Sequence, residues 1–396
     1  MEVSMKETTI PFWRDERVLQ WIAQIAFLIA VLGFGWYLYH NMMTALAQRG
    51  LLPSFHFLSL TAGFDIGEHL IDYDRSSTYG RAFLVGILNT IEVSVLGIIF
   101  ATIFGIIVGI ARLSKNWLIN KLASIYIEII RNIPLLVLLV FWYTGVFLQF
   151  PRLKEAKYLP GPTIISNRGI AMPWGKPTET WHIYLYVLAL GLVLAAIVWW
   201  RLTLIGKRTG RMPLVTVWSL LTFLGVAIIG WIAITLITHQ APLALDRPVL
   251  KGLRTRGGLE LTPEFMALFS GLVFYTAAFI AEVVRAGIQS VSKGQVEAAR
   301  ALGLNGFQTL RLVVFPQALR VIVPPLTSQY LNLTKNSSLA VFIGFPDLYS
   351  VAGTIHNQTG RAVEVTILMM AVYLSFSLAT SVFMNWYNKK IRLVER

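Results

Sequence analysis

The feature that most constrains this chain is a run of about 20 apolar residues that recurs eight times along it. A helix of that length crosses a hydrocarbon core of about 30 Å. Inside lipid each backbone N–H and C=O must find its partner within its own segment, so each run is predicted to be a helix. The spans fall at about 19–39, 83–111, 124–150, 183–200, 214–238, 264–284, 318–343 and 364–387. Charged residues make up only 14% of the chain, against about 25% in soluble proteins. The predicted fold is an all-α, polytopic membrane protein with about eight transmembrane helices.

An even number of spans puts both termini on one side. Lys and Arg are denser on the N-terminal side, in clusters such as Arg112/Lys115/Lys121 and Arg201/Lys207/Arg208/Arg211. That bias predicts that both termini are cytoplasmic. It also accounts for the net charge of +14 without nucleic acid, which would require a basic patch on one face. Cysteine is absent, which excludes disulfides and thiolate chemistry. Thr44–Gln48 resembles a signal-peptidase site, yet the preceding run of about 21 residues exceeds a signal-peptide core, so the first span is expected to be retained. Residues 40–82 and 151–182 fall on the extracytoplasmic side. The second stretch, rich in Pro and Gly, reads as an irregular loop with Trp174 and Trp181 as interfacial anchors.

Between the sixth and seventh runs lies a structured polar segment. Ser292 followed by Gln295, and Asn305 followed by Gln308, each have capping-box spacing. Gly303 is placed for a left-handed helix end, and Pro316 is expected to stop the second helix. The prediction is two short helices joined at a glycine, with Val296, Ala299 and Leu302 on one face of the first. An amphipathic hairpin on the bilayer surface would share the apolar stripe but not this spacing of caps.

Glu297-Ala298-Ala299, Gly303, then Val313 and Phe315-Pro316 resemble the EAA motif of ABC importer permeases. That resemblance implies that Glu297, Ala298, Ala299, Gly303 and Pro316 belong to a loop that seats in a separate ATPase subunit. Tyr275–Ser290, Pro316–Arg320, Pro324–Leu326 and Glu128–Leu136 are similar to polar amino-acid permeases. The matching core is 83–150 and 262–388, of the type I importer kind. Around it lie 1–82, an insertion at 151–261 with two spans, and a tail at 389–396. This layout resembles the permease of general L-amino-acid importers. It implies four kinds of contact: an ABC ATPase, a second permease, a periplasmic substrate-binding protein and the lipid of a bacterial inner membrane.

A charge at mid-bilayer costs roughly 2.5–3.5 kcal/mol, so each should have a partner or a cavity. Glu128 with Arg131, and Glu282 with Arg285, are three apart and predicted to pair as helix-end bridges or a gate. Lys335, Asn336, Ser337 and Ser338 lie in the seventh span and Glu92 in the second. They are candidates to line a substrate pathway, though Ser337 and Ser338 could instead bond between helices, and Glu92 could bury against Lys335. Many amino-acid permeases have Asp at the place of Asn336.

A phosphate loop needs Gly-x-x-x-x-Gly-Lys-Ser/Thr; Arg201 and Ile170 stand where Gly206-Lys207 and Gly175-Lys176 would need the first glycine. The chain is therefore expected to be a transport subunit and not itself an enzyme. The six histidines lack ligand spacing, so no metal or cofactor is expected. The competing reading is an ion-coupled secondary transporter, which predicts internal repeats that this sequence does not display.

Overall fold

The computed structural model describes residues 16–48, 50, 53–209, 214–252 and 254–391. Seven helices among them are long and apolar enough to cross a bilayer, and a bent pair makes an eighth span. The chain divides into two compact units, residues 1–89 with 346–378 and residues 90–345 with 379–396.

The first unit opens with α1 (Glu16–Gln48), none of whose residues is buried. A short 3₁₀ turn, Phe55–Ser59, leads to α2 (Tyr79–Ala111), and the unit resumes with α11 (Leu348–Thr359) and the start of α12 (Ala362–Ile391). Phe57, Ile66, Tyr79 and Val85 pack on Leu348, Val351 and Ile355 of α11. The buried Asn89 amide donates to the carbonyls of Glu68 and Pro346, both at 2.9 Å. Gly86 lets α2 touch α11: a Cβ there would lie 3.0 Å from Leu348 Cα.

In the second unit the third span differs from the single helix expected over 124–150. It is α3 (Trp117–Asn132) followed by α4 (Leu135–Val140), which winds on as a π turn to Val146 and a 3₁₀ turn to Gln149; the pair is bent by 108°. Pro134 causes the break. It lacks an N–H and pushes the residue before it out of the helical region; Ile133 is extended at φ −98°, ψ 129°.

The 151–182 stretch is not an irregular loop. It carries β1 (Lys157–Leu159), β2 (Thr163–Ser166), β3 (Gly169–Met172) and β4 (Trp174–Pro177). Then come α5 (Trp181–Thr209) and α6 (Val215–Thr238), followed by β5 (Leu243–Asp246), β6 (Val249–Lys251), β7 (Arg254–Arg256) and β8 (Leu259–Leu261). The strands pair antiparallel as β1-β2-β3-β8, β4-β5 and β6-β7. The α5–α6 hairpin brings β4 to β5 and β3 to β8. Its helices meet closely because Gly230 faces Val187, and the Tyr184 hydroxyl donates to the Ala227 carbonyl at 3.2 Å. Trp181 begins α5, whereas Trp174, paired with Asp246, lies at the end of the β4–β5 pair away from the α5–α6 hairpin.

β8 passes through Thr262 into α7 (Pro263–Gln289), the most buried span. Its core neighbours include Leu139, Ile322 and Leu333. Close approach depends on glycine: a Cβ on Gly105 would fall 2.6 Å from Ile280 Cγ2, and one on Gly109 2.8 Å from the Ala281 carbonyl oxygen. Small residues at such crossings let transmembrane backbones meet. After α7 come α8 (Lys293–Ala301), α9 (Gly306–Thr309), a π turn over Leu310–Val314 and α10 (Phe315–Asn336).

Candidate functional site

The loop between α7 and α10 is built by two local devices. At the end of α8 the Gly303 amide donates to the Arg300 carbonyl at 2.9 Å, and the Leu304 amide to the Ala299 carbonyl at 3.2 Å. These two bonds close a Schellman motif, which requires a left-handed residue at its corner; Gly303 supplies it at φ +80°. Next, Asn305 Oδ1 accepts from the Gln308 amide at 2.9 Å, and Gln308 Oε1 accepts from the Asn305 amide at 3.0 Å, a complete capping box.

Three expectations need correction. Ser292 occupies the N-cap of α8, but its side chain makes no capping bond. Gln295 instead accepts from Gln317 Nε2 at 3.4 Å, which occupies the side chain a second box would need. Pro316 does not stop the second helix. It sits in the first turn of α10, where a missing N–H is tolerated, and the π turn before it carries the chain from α9 into the span. Leu302 does not share the buried face of Ala299. Ala299 is 2% exposed, while Leu302, beyond the helix end, is 82% exposed.

Phe307, 70% exposed, stands with Leu302 on either side of the glycine corner. This apolar pair was missed in the sequence. The available signal was three large apolar residues, Leu302, Leu304 and Phe307, crowded around the glycine of a tightly capped loop. Glu297 and Ala298 are exposed beside them.

Above the loop, α7 carries a chain of polar contacts. Arg285 Nε and Nη2 donate to Glu282 Oε2 at 2.9 and 2.8 Å, and its Nη1 donates to Gln289 Oε1 at 2.7 Å. The predicted Glu282–Arg285 pair is present. The predicted Glu128–Arg131 pair is absent among the described residues. Arg131 lies over the Phe279 ring of α7 at 5.2 Å instead, a cation–π contact that draws it away from its own helix. Glu128, Arg131 and Glu282 thus line one cleft of about 390 Å³, with Arg112 from the end of α2.

The other polar residues singled out in the spans lie elsewhere, four of them where α10 ends at Asn336 and a 3₁₀ turn over Ser337–Ile343 takes over. Ser337 is fully buried and donates to the Thr334 carbonyl at 2.9 Å, and Ser338 donates to the Lys335 carbonyl at 2.8 Å. Both bonds stay within the same helical segment and do not link helices. Lys335 is exposed, Asn336 half-buried, and Glu92 half-buried on α2. No ion pair joins Glu92 to Lys335 among the described residues.

Seven apolar helices and a bent pair among the described residues, with a capped two-helix loop between two of the spans, define a multi-pass membrane protein. Residues 101–393 match the family described as the inner membrane component of binding-protein-dependent transport systems, and the chain belongs to it. Members are the membrane subunits of ABC importers, which work with an ATPase and a permease partner. The chain is 48% identical over 374 residues to the general L-amino acid transport system permease protein AapQ of Rhizobium johnstonii, covering 94% of this chain and 92% of that one. It is 46% identical to the putative amino-acid ABC transporter permease protein YhdX of Escherichia coli, covering 96% and 95%. It is 40% identical to the glutamate/glutamine/aspartate/asparagine transport system permease protein BztB of Rhodobacter capsulatus, covering 94% and 93%.

Proposed function

We propose that this chain is the amino-acid permease subunit of an ABC importer of a bacterial inner membrane, with both termini in the cytoplasm. The observation that carries the reading is the corner at Gly303, where Glu297, Ala298, Leu302 and Phe307 are exposed around the buried Ala299, held by cap hydrogen bonds at the end of α8 and the start of α9. Full-length similarity to amino-acid permeases supports the substrate class. The chain has no phosphate-loop sequence, so ATP is hydrolysed by a separate subunit into which this corner seats.

In this reading a periplasmic binding protein delivers the amino acid, and a related second permease completes the pathway. ATPase closure moves the loop, and α7 and α10 alternate access. Residues 83–150 and 262–388 form the core, with 151–261 inserted. Glu92 and Lys335–Ser338 line the pathway, and Glu282–Arg285 with Glu128 and Arg131 form a gate near the loop. The test is uptake of labelled amino acids into proteoliposomes. Uptake should require ATP, the ATPase and the binding protein, and should ignore proton and sodium ionophores. Transport by this chain alone on an ion gradient would overturn the proposal.

A further inference from the structure

The cleft beside the loop holds charges of both signs that are only partly engaged among the described residues. Arg112 spends Nη1 on Asn120 Oδ1 at 2.9 Å, while its Nε is buried with no hydrogen-bond partner. Arg131 rests on the Phe279 ring and engages no carboxylate among the described residues. Both bonds from Arg285 to Glu282 end on Oε2, and Oε1 has no hydrogen bond among the described residues. Glu128 lines the same cleft without an ion pair among the described residues.

A simple anion entering here meets two carboxylates, and a simple cation meets two guanidinium groups. A ligand that carries both charges a few ångströms apart matches both sets. The volume of about 390 Å³ is at the small end of small-molecule sites. Ile127 and Phe279 give the cleft an apolar wall.

We infer that this cleft binds a free α-amino acid as its zwitterion, the carboxylate on Arg112 and Arg131 and the ammonium on Glu128 and Glu282. The inference rests on the amino-acid permease reading and adds a second station, beside the loop and away from the residues around Asn336. It also ties occupancy to the loop, because an ammonium on Glu282 Oε1 shares that carboxylate with Arg285, whose other contact is Gln289 at the end of α7.

The test uses the assembled transporter in detergent without its binding protein, and equilibrium dialysis with labelled L-alanine. Unlabelled L-alanine should displace the label at least about tenfold more effectively than propionate or ethylamine, each of which carries one of the two charges. Arg131→Gln and Glu128→Gln should each weaken alanine binding about tenfold. Copurification of the ATPase subunit reports whether each variant still assembles; if one does not, the analogue competition on the unaltered complex decides. Equal competition by propionate or ethylamine, absence of alanine binding, or full binding in both assembled variants would overturn the inference. ATP-driven uptake by the unaltered complex is measured in parallel. Its loss would instead overturn the permease reading, and intact uptake without zwitterion selectivity would overturn only the cleft.

Discussion

The Leu304 amide reaches back over Gly303 to the Ala299 carbonyl at 3.2 Å, so the corner of the loop exists only while residue 303 is left-handed. A side chain with a branched Cβ costs about 1–2 kcal/mol or more there. Gly303→Val should remove ATPase copurification and ATP-driven uptake while membrane insertion persists. Gly303→Asn, which tolerates this conformation better, should retain part of both. Full copurification of the valine variant would show that the corner is not the docking element.

Asp347 caps α11 from a fully buried position. It accepts from the Ser350 amide at 2.9 Å and from the Tyr373 hydroxyl of α12 at 3.4 Å. Burial outweighs these bonds and pushes its carboxyl up to about 6. The folded protein therefore holds this proton more tightly than the unfolded chain. The stability so gained is complete below about pH 4 and is lost as pH rises through about 6, a difference of about 3 kcal/mol. Asn keeps the capping acceptor but cannot ionise. Thermal unfolding in detergent should show Asp347→Asn gaining on the unaltered protein as pH rises from about 4 to about 7. A constant offset between the two would contradict the buried, protonated cap.

The α2–α7 crossing predicts a packing defect. The Cβ of an alanine at Gly109 would press on the Ala281 carbonyl oxygen, a backbone atom that cannot rotate away. Gly109→Ala should destabilise by about 1–3 kcal/mol, as overpacking does. Gly225→Ala, where nothing lies within 4 Å, should be neutral. Equal midpoints for the two variants in a thermal melt would rule out the close crossing.

Glu282 and Arg285 are partly exposed, so their pairing contributes less than about 1 kcal/mol to stability. A gate has a different signature. Glu282→Gln should leave the melting midpoint nearly unchanged but raise the ATP consumed per amino acid imported. An unchanged ratio would mean that the pair is only a helix-end bridge.

What was legible in the sequence was what neighbouring residues decide. The spans follow from apolar length, and Gly303 and the Asn305–Gln308 box from residues three or fewer positions apart. The Ser292 box failed because Gln317, 22 residues beyond Gln295, engages that side chain. Arg131 turned from Glu128 to a ring on another helix for the same reason: a tertiary partner outweighed a local one. The β layer was invisible because its strands are three or four residues long, and β3 and β4 find β8 and β5 only across two intervening helices. Pro134 was in plain view within Glu128–Leu136, but apolar length alone gave no sign of the 108° bend.

The Thr262 hydroxyl, just past the last strand, accepts from the Phe265 amide at 3.1 Å and so begins α7, which then runs unbroken to Gln289. At 1.5 Å per residue that helix is a rod of about 40 Å. The rod has no proline beyond its first turn. One end is fastened to a strand and the other to the glycine-cornered loop. On a straight rod of that length, a tilt of about 5° at one end corresponds to a displacement of roughly 3.5 Å at the other.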